Sequence, residues 1–146
     1  MIRHATINDK ERLLLMWQEG YANTPFADMT YDADYVDKWF TLACTNPDTF
    51  FCRVVERRGD VVGILIGAVD RNFWGVPLGQ ALVSYSRTET DTLLRQFVIW
   101  CKERGVKMVT VTTVPGKERY LQIVESLGFK YVICRSFLFF HSIFSP

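Results

Sequence analysis

No apolar stretch of this chain approaches the roughly 18 residues that cross a bilayer, so the sequence predicts no membrane segment. The opening Met1-Ile2-Arg3-His4 lacks the apolar core of a secretion signal. Charge excess is missing too. Lys and Arg total 17 against 16 for Asp and Glu, a net +1, which supplies no broad attraction to nucleic acid or anionic lipid. The four cysteines, Cys44, Cys52, Cys101 and Cys134, form no CxxC pair, and His4 and His141 are the only histidines. The expectation is therefore small buried thiols in a reducing, cytoplasmic setting, with no metal site. Gly-x-Ser-x-Gly, a Walker loop and a strand-linked Gly-x-Gly-x-x-Gly are all absent. Those absences argue against a serine hydrolase, a P-loop nucleotide hydrolase and a dinucleotide-binding dehydrogenase.

What remains is the composition of an ordinary globular protein. Hydrophobic residues make up 49% and charged residues 23% of 146 positions, which excludes wholesale disorder. A chain of this mass buries about 69% of its surface on folding, enough for one core without staples. The reading is one domain over residues 1–146, free of repeats, low-complexity tracts and linkers.

Ile2 to Thr6 reads as a short strand, followed by a helix capped by Asn8 with Glu11 three residues later, and ended by Gly20. Tyr35, Val36, Trp39, Phe40 and Ala43 form the stripe of a second helix, stopped at Asn46-Pro47. Thr49–Arg57 and Val61–Val69 flank Arg58-Gly59-Asp60 as a hairpin. Its second arm is apolar on both faces, and Gly63 and Gly67 there predict close backbone approach or a bulge. Gln80–Ser86 reads as a strand, and Thr88 with Asp91 opens a third helix that closes at Arg104-Gly105. Val106–Thr113 reads as a strand parallel to Gln80–Ser86. Lys117–Leu127 is a fourth helix ending at Gly128, and Phe129–His141 is extended. The order β-α-α-β-β-β-α-β-α-β predicts an α/β fold: a mixed sheet with helices on both faces.

Four pieces carry a family resemblance in order: Ile2-Arg3-His4-Ala5-Thr6 with Asp9, Val61-Val62-Gly63, Leu93-Leu94 through Gly105-Val106, and Val124-Glu125-Ser126-Leu127-Gly128-Phe129. Together they resemble the GNAT superfamily of N-acetyltransferases across nearly the whole chain. The resemblance implies acetyl-CoA as cofactor, lying between the fourth and fifth strands along Leu82, Val83, Ser84 and Tyr85. It places the pyrophosphate at the start of the third helix, near Arg87, Thr88 and Thr90. There the family carries Arg/Gln-x-x-Gly-x-Gly/Ala, whose glycines let backbone N–H groups reach phosphate. Here Tyr85 takes the basic position and Thr88 and Thr90 take the glycine positions, a poor match for backbone with positive φ. Glu89 and Asp91 add charge of the wrong sign. The family's frequent proton-donating Tyr is replaced by Val124, leaving Tyr120, one turn earlier, as substitute. The base expected on the fourth strand is missing, and Asp70 is a candidate on the third.

These departures favour a GNAT-like protein that has weakened or lost acetyl-CoA binding. It would then serve as a structural or adaptor component, similar to GNAT-like proteins carried by some tailed phages, and so cytoplasmic or assembled in a virion. The alternative is an acetyl-CoA-dependent N-acetyltransferase acting on an amine of a small molecule or protein. The C-terminal run, apolar at the successive positions Phe137, Leu138, Phe139 and Phe140 and again at Ile143 and Phe144, predicts an interface with a second copy or a protein partner.

Overall fold

Alternation of apolar side chains along three long strands determines how this chain builds its layers. The computed structural model describes residues 1–24, 26–72, 74–113, 117–134 and 137–143, with Thr113, 131–134 and 137–143 described by backbone alone. The elements are β1 (Ile2–His4), a 3-10 turn (Ile7–Asp9), α1 (Lys10–Tyr21), α2 (Ala33–Thr45), β2 (Phe50–Arg57), β3 (Asp60–Arg71) and β4 (Pro77–Ser86). They continue as α3 (Thr90–Glu103), β5 (Met108–Thr113), α4 (Glu118–Ser126), β6 (Lys130–Cys134) and β7 (Phe137–Ile143). The strands form one seven-stranded sheet in the order β1-β2-β3-β4-β5-β7-β6. Among the described residues only β4 and β5 pair in parallel, joined through α3 as the strand-helix-strand pattern requires.

On β2, Phe51 and Val55 point to one face while Cys52 and Val54 point to the other; on β3, Leu65 opposes Ile64 and Ile66. The face with Phe51 and Leu65 packs under α3 and α4 through Leu93, Leu94, Phe97 and Val124. The opposite face packs under α1 and α2 through Leu13, Met16, Phe40 and Ala43. Two buried layers explain why β3 is apolar at nearly every position. Gly67 meets Phe97, and the register slips beside it, so close approach and bulge coincide there. Helices α3 and α4 end at Gly105 and Gly128, both in left-handed backbone (φ 71° and 83°), as the sequence predicts.

Several local expectations need correction. The capping box uses Thr6 and Asp9 rather than Asn8 and Glu11, because Asp9 also answers Arg3. Helix α1 runs through Gly20 to Tyr21. The side chain of Tyr35 is 68% exposed, outside the buried stripe of α2. Helix α3 starts at Thr90 after Glu89 and has no side-chain cap, so Thr88 and Asp91 do not open it.

The phenylalanine run becomes β7, hydrogen-bonded to β5 on one side and β6 on the other. An interior strand has two faces to cover, which gives Phe137, Phe139 and Phe140 a reason to be apolar within one chain. Phe144 lies outside the described residues. No helix among the described residues is long and apolar enough to cross a membrane. Cys52 and Cys101 are buried and Cys44 is half-buried; burial pushes the Cys101 thiol up to about 12.

Candidate active site

The site begins with one extra residue. Ile66 pairs with Val83 and Gly67 with Ala81, so Leu82 bulges out of the β3–β4 ladder. On its other edge β4 pairs with β5 from Leu78↔Met108 to Ala81↔Val111, and the pairing stops there. The bulge therefore falls where the two parallel strands part. From Leu82 to Ser86 the β4 backbone faces a gap at the carboxyl ends of the strands, the position where open α/β sheets bind ligands.

Past the gap, β4 runs into the turn that starts α3. The Ser86 hydroxyl donates to the Thr88 carbonyl and accepts the Thr88 N–H at 3.3 Å, while the Arg87 N–H reaches the Val62 carbonyl at 3.4 Å. These bonds fix the turn and leave the first N–H groups of α3 without a side-chain cap. The left-handed residue here is Glu89 (φ 60°); Thr88 and Thr90 are not in positive-φ backbone. That corrects the expectation that threonines occupy the glycine-demanding positions. Thr90 is instead a buried first residue of the helix, and the turn's backbone demand falls on Glu89. The Glu89 carboxylate points toward Arg57, 3.6 Å away, so part of its charge is offset. Arg87 is exposed beside the helix start, free to meet an anion.

Tyr120 packs on the α3–α4 face of the sheet, with its hydroxyl near Ser84 of β4. Its hydroxyl oxygen is sealed from solvent and has no hydrogen-bond partner. Burial pushes it up to about 12, and the Ser84 hydroxyl lies near enough to ease that rise without closing a hydrogen bond of normal geometry. The phenol is thus buried beside the parted strand with its proton held. Val124, one turn on, is fully buried core.

Not every expected residue gathers here. Tyr85 and Val83 pack on the α1–α2 side, with a Tyr85 ring carbon 3.8 Å from where a Cβ on Gly20 would sit. Tyr85 is thus not the basic-position residue of an anion loop. Asp70 is exposed and pairs with Leu78, six residues along β4 from Ser84, or about 20 Å at strand rise. It is removed from Tyr120 and has no part in this site.

On the α1–α2 face a cleft of about 290 Å³ adjoins the bulge, lined by Trp17, Tyr35, Val36, Trp39, Phe40, Leu82 and Val83. Leu82, 45% exposed, belongs both to this cleft and to the parted strand. Sequence reasoning read those aromatics as helix stripes. The bulge that Gly67 signals brings Leu82 beside them as part of the same wall.

No family model matches the chain, and no curated protein matches it. Solved structures do. The chain is similar to the ribosomal-protein-alanine N-acetyltransferase from Brucella melitensis, with 25% identity over 99% of both chains and a TM-score of 0.79. It is similar to the PaiA N-acetyltransferase from Thermoplasma acidophilum in complex with coenzyme A, with 16% identity over 99% and 98% of the chains and a TM-score of 0.68. YncA from Salmonella typhimurium, solved with its cofactor acetyl-CoA, aligns at 16% identity over 100% and 94%, with a TM-score of 0.80. The class is an α/β fold of acyl-transfer enzymes. Its particular form is the GNAT superfamily fold of N-acetyltransferases.

Proposed function

We propose that the protein is an acetyl-CoA-dependent N-acetyltransferase that moves an acetyl group to an amine. The observation that carries this reading is the coincidence at Leu82. The bulge and the end of β4–β5 pairing coincide there, and the buried Tyr120 hydroxyl, without a hydrogen-bond partner, lies near Ser84 two residues on. An orphaned, sealed phenol is costly unless something answers it, and a departing thiolate is an acceptor for its proton.

Acetyl-CoA supplies, when bound, an activated thioester. The chain's residues divide the remaining work. Backbone groups of Leu82 to Ser86, unpaired toward β5, can hold an extended amide-bearing arm as a further strand would. The N–H groups opening α3, with Arg87 beside them, form a place for phosphate oxygens. Tyr120 keeps its proton at neutral pH, as a general acid must. The amine approaches from the α1–α2 side through the cleft at Leu82 and Val83. No carboxylate lies on β4, so its proton leaves through solvent, and positioning supplies much of the rate.

The structural or adaptor role drew its weight from the turn before α3 and from Val124 at the proton donor's position. With Thr88 and Thr90 outside the left-handed region and Glu89 turned toward Arg57, the part of that objection resting on the turn is weakened. Calorimetric titration with acetyl-CoA tests the reading. Micromolar binding supports it; no heat up to millimolar ligand overturns it.

A further inference from the structure

We propose that the acceptor is a cationic amine carried on an aromatic or similarly flat apolar body. This rests on the acetyltransferase reading for its chemistry, and on the α1–α2 cleft for its specificity.

The cleft wall contains no charged side chain: Trp17, Tyr35, Val36, Trp39, Phe40, Leu82 and Val83 are aromatic or aliphatic. Its rings are held by one another. Trp17 stands edge-on to Tyr31 at 4.9 Å and 89°, and Trp39 edge-on to Phe40 at 5.5 Å and 83°. The Tyr31 hydroxyl is fixed in turn by Gln18 at 3.0 Å. A wall braced this way offers preformed apolar surface. A cavity of about 150 Å³ takes one benzene ring, so about 290 Å³ admits a ring with an amine-bearing arm.

The segment that carries most of the wall is acidic, with Lys38 next to Trp39 its nearest cation in sequence. Between Arg12 and Lys38 the chain has no basic residue, whereas Glu19, Asp28, Asp32, Asp34 and Asp37 all fall in that interval. Lys10 neutralises Asp37 at 2.8 Å. Asp32 caps α2 by accepting the Tyr35 N–H at 2.9 Å, which sets a carboxylate beside a residue of the cleft wall, and Asp34 is exposed in the same turn. Asp32 and Asp34 favour an ammonium group near Tyr35, and indole faces favour it further, while they disfavour a carboxylate or phosphate there. Within the cleft no carboxylate holds the ammonium, so the amine can lose its proton as it nears the gap.

The test is direct binding to the full chain without acetyl-CoA, read by tryptophan fluorescence and calorimetry. The probes are 2-phenylethylamine, 3-phenylpropionate (ring with the opposite charge) and putrescine (cations without a ring). The expected order places 2-phenylethylamine at least about tenfold ahead of both others, with affinity falling as salt rises. Tyr35→Lys puts a cation on an exposed wall position and should weaken 2-phenylethylamine about tenfold, with an unchanged circular dichroism spectrum confirming the fold. Equal or tighter binding of 3-phenylpropionate or putrescine overturns the proposal, as does an unaffected Tyr35→Lys variant. Acetyl-CoA is titrated separately. If it binds and the amine does not, the acceptor class falls alone; if the amine binds and acetyl-CoA does not, the cleft specificity stands and the transferase reading falls.

Discussion

Phe97 on α3 lies against the bare Cα of Gly67 on β3, so closely that a Cβ built on Gly67 would sit 2.3 Å from the nearest ring carbon. Phe97 is fully buried and pinned by Phe51 (centroids 5.3 Å apart) and Trp100 (6.0 Å), so the ring has nowhere to move. Gly67→Ala should therefore destabilise the fold by about 1–3 kcal/mol, the usual range for overpacking. At this chain length that is a fall of roughly 4–10 °C in Tm by thermal circular dichroism. An unchanged Tm would mean that α3 does not press on β3 at this point.

Gly67 also shows which features were legible in the sequence. A glycine inside an apolar strand announces close approach or a bulge, and here it marks both. Helix stripes, the Gly105 and Gly128 stops and the parallel strand pair follow equally from local pattern. The site is legible only in part. Tyr120 is visible in the sequence as a phenol on a helix, yet its burial beside Ser84 is a product of the tertiary packing. Packing of that kind is set by helix and strand together and leaves no mark on either alone. The turn at Glu89 was misread for a similar reason. The family resemblance implies glycines where Thr88 and Thr90 stand, but only the backbone shows which residue takes the left-handed conformation.

Arg3 ties β1 to its neighbours by donating to both carboxylate oxygens of Asp9 at 2.8 Å and to Glu56 at 2.6 Å. The Arg3 guanidinium holds the buried Asp9 carboxyl down to about 2, aided by the Thr6 N–H at 2.7 Å. A depressed carboxyl stabilises the fold above its unfolded pKa near 4, and that contribution is lost as pH falls toward 2. The drop from 3.8 to about 2 corresponds to about 2 kcal/mol. Urea unfolding at pH 7, 4.5, 3 and 2 should show this loss, and Asp9→Asn should start less stable at pH 7 and lose correspondingly less on acidification. Equal pH slopes for the two proteins would remove Asp9 from the acid response.

Tyr120→Phe removes one buried oxygen and leaves the ring in place. Because that hydroxyl has no partner, the variant should fold at least as stably as the parent and bind acetyl-CoA with unchanged affinity. Its kcat should fall by about 10²- to 10⁴-fold, the range for a lost general acid. The raised pKa gives a second signature. Folding stability that the neutral phenol contributes below pH 10 is lost as pH rises toward 12, and the Phe variant should lack that alkaline decline. A variant with full kcat would assign Tyr120 to packing alone.

Glu89 combines a left-handed backbone with a carboxylate at the start of α3, and two substitutions separate these effects. Glu89→Gln removes only charge; Glu89→Gly also relieves a conformation that costs a side-chain-bearing residue about 1–2 kcal/mol. A carboxylate about 5 Å from a phosphate charge at effective dielectric 20 opposes binding by about 3 kcal/mol, but the Arg57 contact at 3.6 Å and partial exposure reduce this. Both variants should thus bind acetyl-CoA roughly 3- to 10-fold more tightly than the parent, with the gain shrinking at high salt. Glu89→Gly should in addition match or exceed the parent's Tm. Arg57→Ala runs the argument backwards: it frees the carboxylate and should weaken acetyl-CoA. If calorimetry gives one affinity for all four proteins, the phosphates do not sit at the start of α3, and the turn from Ser86 to Thr90 has only a structural role.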